Sequence, residues 1–419
     1  MKYSEIVIAE IQNGDLDNAY ENLEIALEMD DSDTLYLLGN TLFQLGFLNE
    51  TKKVYNYLID IHPEDDELKI YLAEIEIEDG NELEALDLLH TIDSSSETYP
   101  QALLVQADYY HLNGLPEVSI QKLVEAESIL ADEPVIKFAL AEVYFTMADY
   151  QNAIKKYEQL NEEGIEEVSG TIISARLGSC YLMIGDYTEA IVLLEDALSY
   201  KDDAEVFYQL GIVHVQKEDY DKAIEPLEKA VELDPSLTGA YILLSDVYEN
   251  QSKLEQALEE IENGIQYNEI YIELYFKAAE LASKLNEFDK AESYYQKAIE
   301  IEPGNDRAVK YAEYLTYMED SEAVIELFDQ SAETMRQLPE SLWFLAQANN
   351  HLDEYDEARK YYDQAYQYLD ENSDFLKDYA FYLREDGQRD KMKEVIQKYL
   401  QLIPGEDFEM VALLEDDND

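Results

Sequence analysis

The feature that most constrains this chain is a small residue returning at an almost fixed interval. Gly39, Ala73, Ala107, Ala141, Gly178, Gly211, Ser245, Ala279, Ala312, Ala346 and Ala380 are separated by 34, 34, 34, 37, 33, 34, 34, 33, 34 and 34 residues. A second ladder keeps near-constant phase with it through Ala19, Thr51, Ala85, Ser119, Ala153, Ala190, Ala223, Ala257, Ala291, Ala323, Ala358 and Met392. Two ladders in phase across the chain point to stacked helical hairpins with a series of small repeated cores. The clearest copy is 204–237. Phe207, Leu210, Gly211 and His214 share one face of a first helix, and Glu218-Asp219-Tyr220 interrupts the pattern. Ala223, Leu227, Ala230 and Val231 then form a second stripe, which Pro235 stops because it has no N–H to give. Gly211 and Ala223, on facing helices, are expected to let the two backbones approach closely.

This unit resembles the tetratricopeptide repeat (TPR), with its small residue in the first helix, alanine in the second and proline at the end. The resemblance covers about residues 1–406, and the chain is similar to the long, acidic, stand-alone TPR proteins of bacteria. It implies an all-α fold, a right-handed α-solenoid superhelix of about twelve stacked units. These would begin near residues 1, 32, 66, 100, 134, 171, 204, 238, 272, 306, 339 and 373. Val7 stands where the first unit would have its small residue. Pro63, Pro235, Pro303 and Pro404 occupy the terminal proline position, whereas Pro100 and Pro134 open their repeats as first-turn prolines do. Phase breaks at 161–170, with three extra residues and two glycines, and across 306–338, where a shortened turn at Glu319-Asp320 and a drawn-out second helix are expected. Each break is a candidate hinge or a drifted loop. Residues 407–419 read as a short cap built from Phe408, Met410, Val411, Leu413 and Leu414, followed by a frayed acidic tail.

Charge narrows the function. Ninety-five acids against 29 bases give a net −66, which repels phosphate backbones and anionic lipid, so nucleic acid is not an expected partner. Cys180 is the single cysteine, which excludes an internal disulfide and a multi-cysteine zinc site. The opening residues carry no basic flank and apolar run of a secretory leader, and no stretch approaches the roughly 18 apolar residues of a membrane span. Direct membrane insertion is therefore not expected, and a cytoplasmic setting is.

Residues that could carry chemistry are scattered. There is no phosphate-binding GxxxxGK[ST] loop, no GxGxxG after a strand, no HExxH and no GxSxG elbow. His62, His90, His111, His214 and His351 lie in different repeats, and Cys180 has apolar neighbours, as an inert buried thiol would. The Glu74–Gly80 acids sit on a helix, without the spacing of a calcium loop. No enzyme activity, metal or cofactor is expected. The 35 tyrosines include Tyr150, Tyr187, Tyr220 and Tyr355 after turns and Tyr157, Tyr295 and Tyr362 in second helices, positions expected to pack between hairpins.

Recognition by surface remains. In TPR proteins the first helices line a concave groove, and carrying that phase over implies a protein-binding set. It comprises Tyr36, Asn40 and Phe43; Ile70 and Glu74; Asp108; Phe138, Glu142 and Phe145; Tyr208; Asp246; Phe276 and Glu280; and Trp343 with Gln347. Trp343 either leans into the groove or packs on the next hairpin. The chaperone-binding TPR proteins grip an acidic tail with basic and amide groups. Here only Asn40 echoes that set, and Glu74 and Asp108 depart from it. An apolar, acidic groove suits a partner segment with basic residues between hydrophobic ones, although composition alone also places acids there. Before residue 134 there are 31 acids against Lys2, Lys52, Lys53, Lys69 and Lys122. The reading is a non-catalytic scaffold or adaptor. An alternative is a peptide-sensing regulator; such TPR regulators carry an N-terminal effector domain, for which repeats starting almost at Met1 leave no room. An enzyme with appended repeats would need a longer non-repeat segment than the one after Pro404. Because acid–acid repulsion is screened within roughly 8 Å at physiological ionic strength, raising salt from low to physiological should raise the melting temperature. Thermal unfolding followed by circular dichroism checks this, and a flat salt response would contradict it.

Overall fold

The computed structural model describes residues 2–302, 304–403 and 407–415. The chain forms two compact units, Met1–Leu233 and Asp234–Asp419. Each is a stack of antiparallel helical hairpins, seven in the first and five in the second, running from Tyr3–Asn13 with Leu16–Met29 to Ser373–Glu385 with Arg389–Leu402. The fold is an all-α repeat solenoid.

Every hairpin turns the same way. A residue in the left-handed region follows each first helix, at Gly14, Gly46, Gly80, Gly114, Ala148, Gly185, Glu218, Ser252, Asn286, Glu319, Asp353 and Gly387. At Ala148 its N–H donates to Phe145 O (2.9 Å), and the next N–H, of Asp149, donates to Tyr144 O (2.9 Å). That pair of bonds satisfies the last carbonyls of the first helix. In the fifth, sixth and tenth hairpins the residue after the left-handed one then caps the second helix. Asp149 accepts from the Asn152 N–H, and Asp186 and Asp320 do the same for Glu189 and Ala323.

The small-residue ladders lie inside. Ala73, Ala141, Ser245, Ala279, Ala312, Ala346 and Ala380 are fully buried, as are Ala85, Ala153, Ala190, Ala223, Ala257, Ala291 and Ala358. What meets the small residue of the first helix is a large side chain of the second. A Cβ added at Gly211 would fall 2.5 Å from Leu227 Cδ2, and one at Gly178 would fall 2.8 Å from Leu194 Cδ2. The partner of Gly211 is thus Leu227, not Ala223. The glycine makes room for a leucine rather than bringing two bare backbones together.

Several local expectations are revised. The three extra residues near 161–170 fold into an antiparallel ribbon, Glu167–Val168 with Thr171–Ile172. Its two-residue turn, Ser169 and Gly170, has positive φ at both positions, the conformation that matches strand twist. Val168 packs into the core with Tyr157, Leu160 and Ile173. In the tenth hairpin the turn at Glu319 is ordinary, and the second helix is short, Ser321–Asp329, followed by a separate turn of helix, Glu333–Arg336. Val324, 1% exposed, takes the buried place expected of the half-buried Ala323, because the cap at Asp320 sets the register one residue later. Tyr157, Tyr295 and Tyr362 are buried, but Tyr355 is exposed and donates to Asp353. The final helix, Phe408–Glu415, buries Met410 and Leu413 on the last hairpin and leaves Phe408 exposed. Pro303, Pro404 and the four last residues lie outside the described residues.

Six turns place a residue other than glycine in the left-handed region, which costs a residue with a Cβ about 1–2 kcal/mol. Ala148→Gly and Ser252→Gly are therefore each expected to stabilise the fold by about 0.5–1 kcal/mol, and Gly185→Ala to destabilise it by a similar amount. Urea unfolding of the three variants measures this; a loss of stability in both glycine variants would contradict it.

Candidate protein-binding groove

A first helix presents residues i, i+4 and i+7 on one face. On Ser32–Gln44 these are Tyr36, Asn40 and Phe43. They are half-buried or exposed, and Asn40 and Phe43 line a pocket of about 220 Å³ together with Gln44, Tyr55, Tyr71, Glu74 and Ile75. Gly39 admits the Tyr55 ring from the second helix of the same hairpin. The Tyr55 hydroxyl then donates to Asn40 Oδ1 (2.6 Å). Tyr71, from the next hairpin, stands 6.3 Å from Tyr55 ring to ring and donates to Glu67 (3.0 Å). Ile70 is misplaced by the repeat phase. It is completely buried in the core with Ala73, Ala85, Leu89 and Ala102, so it is no part of a binding surface.

Glu74 is set apart electrostatically. Burial, followed by the charges of Glu78 and Asp108, raises its pKa above the usual glutamate value. Among the described residues, no ion pair and no hydrogen bond reaches the side chain of Glu74 or of Asp108. The acids nearby are different. Glu76 is buried and held by Lys52 (2.6 Å) and Asn81 (2.6 Å), and Lys52 also pairs with Asp79 (2.7 Å). These acids of the Glu74–Gly80 stretch are thus tied into a side-chain network.

Further along, acids at the same register have a cation. Phe138 packs on Tyr157, whose hydroxyl donates to Glu142, and Phe145 stands edge-on to Tyr150 at 5.5 Å. Arg176, from the following hairpin, donates to Glu142 (2.9 Å) and lies over the Phe145 ring at 5.4 Å. In the next hairpin Ser179 donates to Gln209 (2.6 Å). There Val206 and Gln209, not the half-buried Tyr208, line the neighbouring cleft. Cys180 is buried behind Glu142, and burial pushes its thiol up to about 12, so it stays protonated and inert.

In the second unit, Asp246, Phe276 and Glu280 line a cleft of about 790 Å³ with Ile242, Lys277, Arg307 and Lys310. Lys277 sits between Asp246 and Glu249, 2.6 Å from each. Burial works against its charge, yet the hydrogen bonds it donates to those two carboxylates hold its pKa above the ordinary lysine value. Lys310 lies over Phe276 at 5.4 Å. Trp343 packs on the next hairpin, edge-on to Phe375 at 5.6 Å. Its indole N–H donates to Asp378 (2.6 Å), which also accepts from Gln347 (3.0 Å) and Tyr362 (2.8 Å).

These contacts share one register. The residue just after the small residue of one hairpin meets the residue two before the small residue of the next: Glu142 with Arg176, Ser179 with Gln209, Asp246 with Lys277, and Gln347 with Asp378. For Glu74 and Asp108 that second position is Val105 and Ala139. The sequence places Arg176 and Lys277 near groove positions, but repeat phase does not show which carboxylate each one meets.

The family models agree with the repeat geometry. YpiA-like tetratricopeptide repeats match residues 112–165, YpiA-like C-terminal tetratricopeptide repeats match 339–406, and a general tetratricopeptide repeat matches 272–305. The TPR repeat-containing protein YpiA of Bacillus subtilis is 31% identical over 393 residues, 94% of this chain and 93% of that protein. The chain belongs to the YpiA-like TPR family. Among solved structures, the C-terminal part of a TPR repeat-containing protein from Cytophaga hutchinsonii is 18% identical over 66% of this chain and 99% of its own, with a TM-score of 0.45. YrrB, described as a TPR protein with an unusual peptide-binding site, is 22% identical over 44% of this chain and 94% of its own, at a TM-score of 0.36. Among the described residues of this YpiA-like chain, no helix is long and apolar enough to cross a membrane.

The raised pKa of Glu74 has a consequence for stability. Its folded pKa exceeds its unfolded value, so ionisation opposes folding, and the penalty is present at neutral pH and disappears once both states are protonated. Glu74→Gln should therefore raise the melting temperature at pH 7, with the difference shrinking to nothing as pH falls below the ordinary glutamate range. Paired melting curves at pH 7 and pH 4 decide this; equal gains at both values would contradict it.

Proposed function

We propose that this YpiA-like protein is a non-catalytic cytoplasmic scaffold whose N-terminal hairpins hold a partner segment carrying basic residues between hydrophobic ones. TPR proteins in general mediate protein–protein interaction, and the members of this family are typically non-catalytic scaffolds. The observation that carries the finer reading is the missing counter-charge. Glu142 and Asp246 are each met by a cation from the next hairpin, whereas Glu74 and Asp108 face a register occupied by Val105 and Ala139. Asp108 is exposed, but Glu74 is half-buried, and a partly desolvated carboxylate with no partner is costly and rewards an incoming cation. Apolar contact is available beside it from Phe43 and from the rings of Tyr55 and Tyr71. The first 133 residues also hold 31 acids against five bases, which steers a basic segment toward this end.

Glu74→Lys combined with Asp108→Lys should weaken capture of a native basic partner at least tenfold while leaving the helical circular dichroism unchanged. Affinity capture with wild-type and doubly substituted protein, quantified by mass spectrometry, is the measurement. Undiminished capture of every partner by a folded double variant would remove the groove reading.

A further inference from the structure

The pocket between the second and third hairpins is small and chemically specific. Its volume of about 220 Å³ is room for one long side chain rather than for a helix. Three rings, Phe43, Tyr55 and Tyr71, contribute to its walls, and Glu74 supplies a carboxylate. The two phenols beside Glu74 donate elsewhere: the Tyr55 hydroxyl to Asn40 and the Tyr71 hydroxyl to Glu67. Nor do the lysines of these two hairpins serve it. Lys52 is held by Glu76 and Asp79, Lys53 by Glu24, and Lys69 by Asp66.

We infer that this pocket is an anchor site for a single arginine side chain of the bound partner, with the guanidinium laid on Phe43 and paired with Glu74. The inference rests on the groove reading above and names the group that the groove selects. The chain contains a worked instance of the same chemistry. Phe145 occupies in the fifth hairpin the place that Phe43 occupies in the second, and a guanidinium, that of Arg176, lies over it at 5.4 Å while bonding to Glu142 at 2.9 Å. At Phe43 the positions of Glu142 and Arg176 are taken by Asn40 and Tyr71, so the carboxylate comes instead from Glu74 of the next hairpin and the cation is left to come from outside. Arginine suits this pocket better than lysine. Its guanidinium is planar, weakly hydrated and able to stack on a ring while donating two parallel bonds to one carboxylate. The Glu74 carboxylate offers that fork its two oxygens, whereas a lysine ammonium would meet it only as a point charge.

The test uses the full chain and three acetylated, amidated heptapeptides, Leu-Val-Xaa-Leu-Ser-Val-Leu, in which Xaa is arginine, lysine or citrulline, the last having nearly the shape of arginine without its charge. Calorimetric titration should rank arginine above lysine, with citrulline at least tenfold weaker than arginine. Glu74→Gln should cost the arginine peptide about tenfold and leave the citrulline peptide within twofold; Phe43→Ala should cost the arginine peptide more than the citrulline one. An arginine peptide that binds Glu74→Gln as well as wild type, or no better than citrulline does, overturns the pocket while the groove reading stands on its capture experiment. Failure of both basic peptides to bind wild type overturns the pocket, and loss of the groove reading itself is seen separately, as native capture indifferent to the two lysine substitutions.

Discussion

Packing of a large side chain of the second helix against a buried small residue of the first is the contact on which the rest of this structure depends. It is plainest at the three glycines of the second, sixth and seventh hairpins. Leu227 against Gly211 and Leu194 against Gly178 set how closely the two helices of a hairpin approach. Tyr55 against Gly39 does the same and, in addition, carries a phenol to the groove face, where it meets Asn40. A methyl group added at these glycines would have to displace a leucine or a ring from a close-packed interior. The turn depends on the same approach. Its left-handed residue recurs at all twelve hairpins, and in six of them the chain accepts a non-glycine there, so the demand for that turn outweighs the local strain.

Charge is organised around scarcity. With 29 bases for 95 acids, the lysines and arginines are drawn to the seams between hairpins. Lys52 joins Glu76, Lys156 joins Glu127, Arg176 joins Glu142 and Arg359 joins Asp386, each across 24–34 residues of sequence. The more open pairs, Lys156–Glu127 and Arg176–Glu142, contribute about 0–1 kcal/mol each, whereas the buried carboxylate of Glu76 would be left uncompensated without Lys52. Their weight is local: they relieve repulsion where acidic hairpins meet, and they neutralise the groove at Glu142 and Asp246. The stretch containing Glu74 and Asp108 receives no such relief among the described residues, which makes it unlike the rest of the groove face.

Much of the fold was legible in the sequence, because a 34-residue period is a local property repeated many times. The buried alanines, the helix pairs and the turns at Gly14 through Gly387 all follow from it. Phase alone was less successful at the site. It brought Asn40, Phe43 and Glu74 to one pocket, yet it sent Ile70 to the surface although that side chain is fully buried. Position in a repeat specifies a direction on one helix; burial depends on what the adjacent helix places opposite. Trp343 illustrates the same limit, since its indole is held by Asp378, 35 residues away. The ribbon at 167–172 was missed because four residues carry too little periodicity to announce a strand pair, and only the Ser169-Gly170 turn distinguishes them from a loop.

By itself the sequence determined the repeat, the all-helical class and the concentration of acid at the N-terminal end, since each of these is a matter of composition or spacing along the chain. Only the tertiary structure decided which acids are matched. A counter-cation arrives from the following hairpin, at a register two residues before its small residue, and whether it finds a carboxylate depends on how the helices meet across the seam. That geometry pairs Glu142 and Asp246 and encloses Glu74 among rings with no cation beside it.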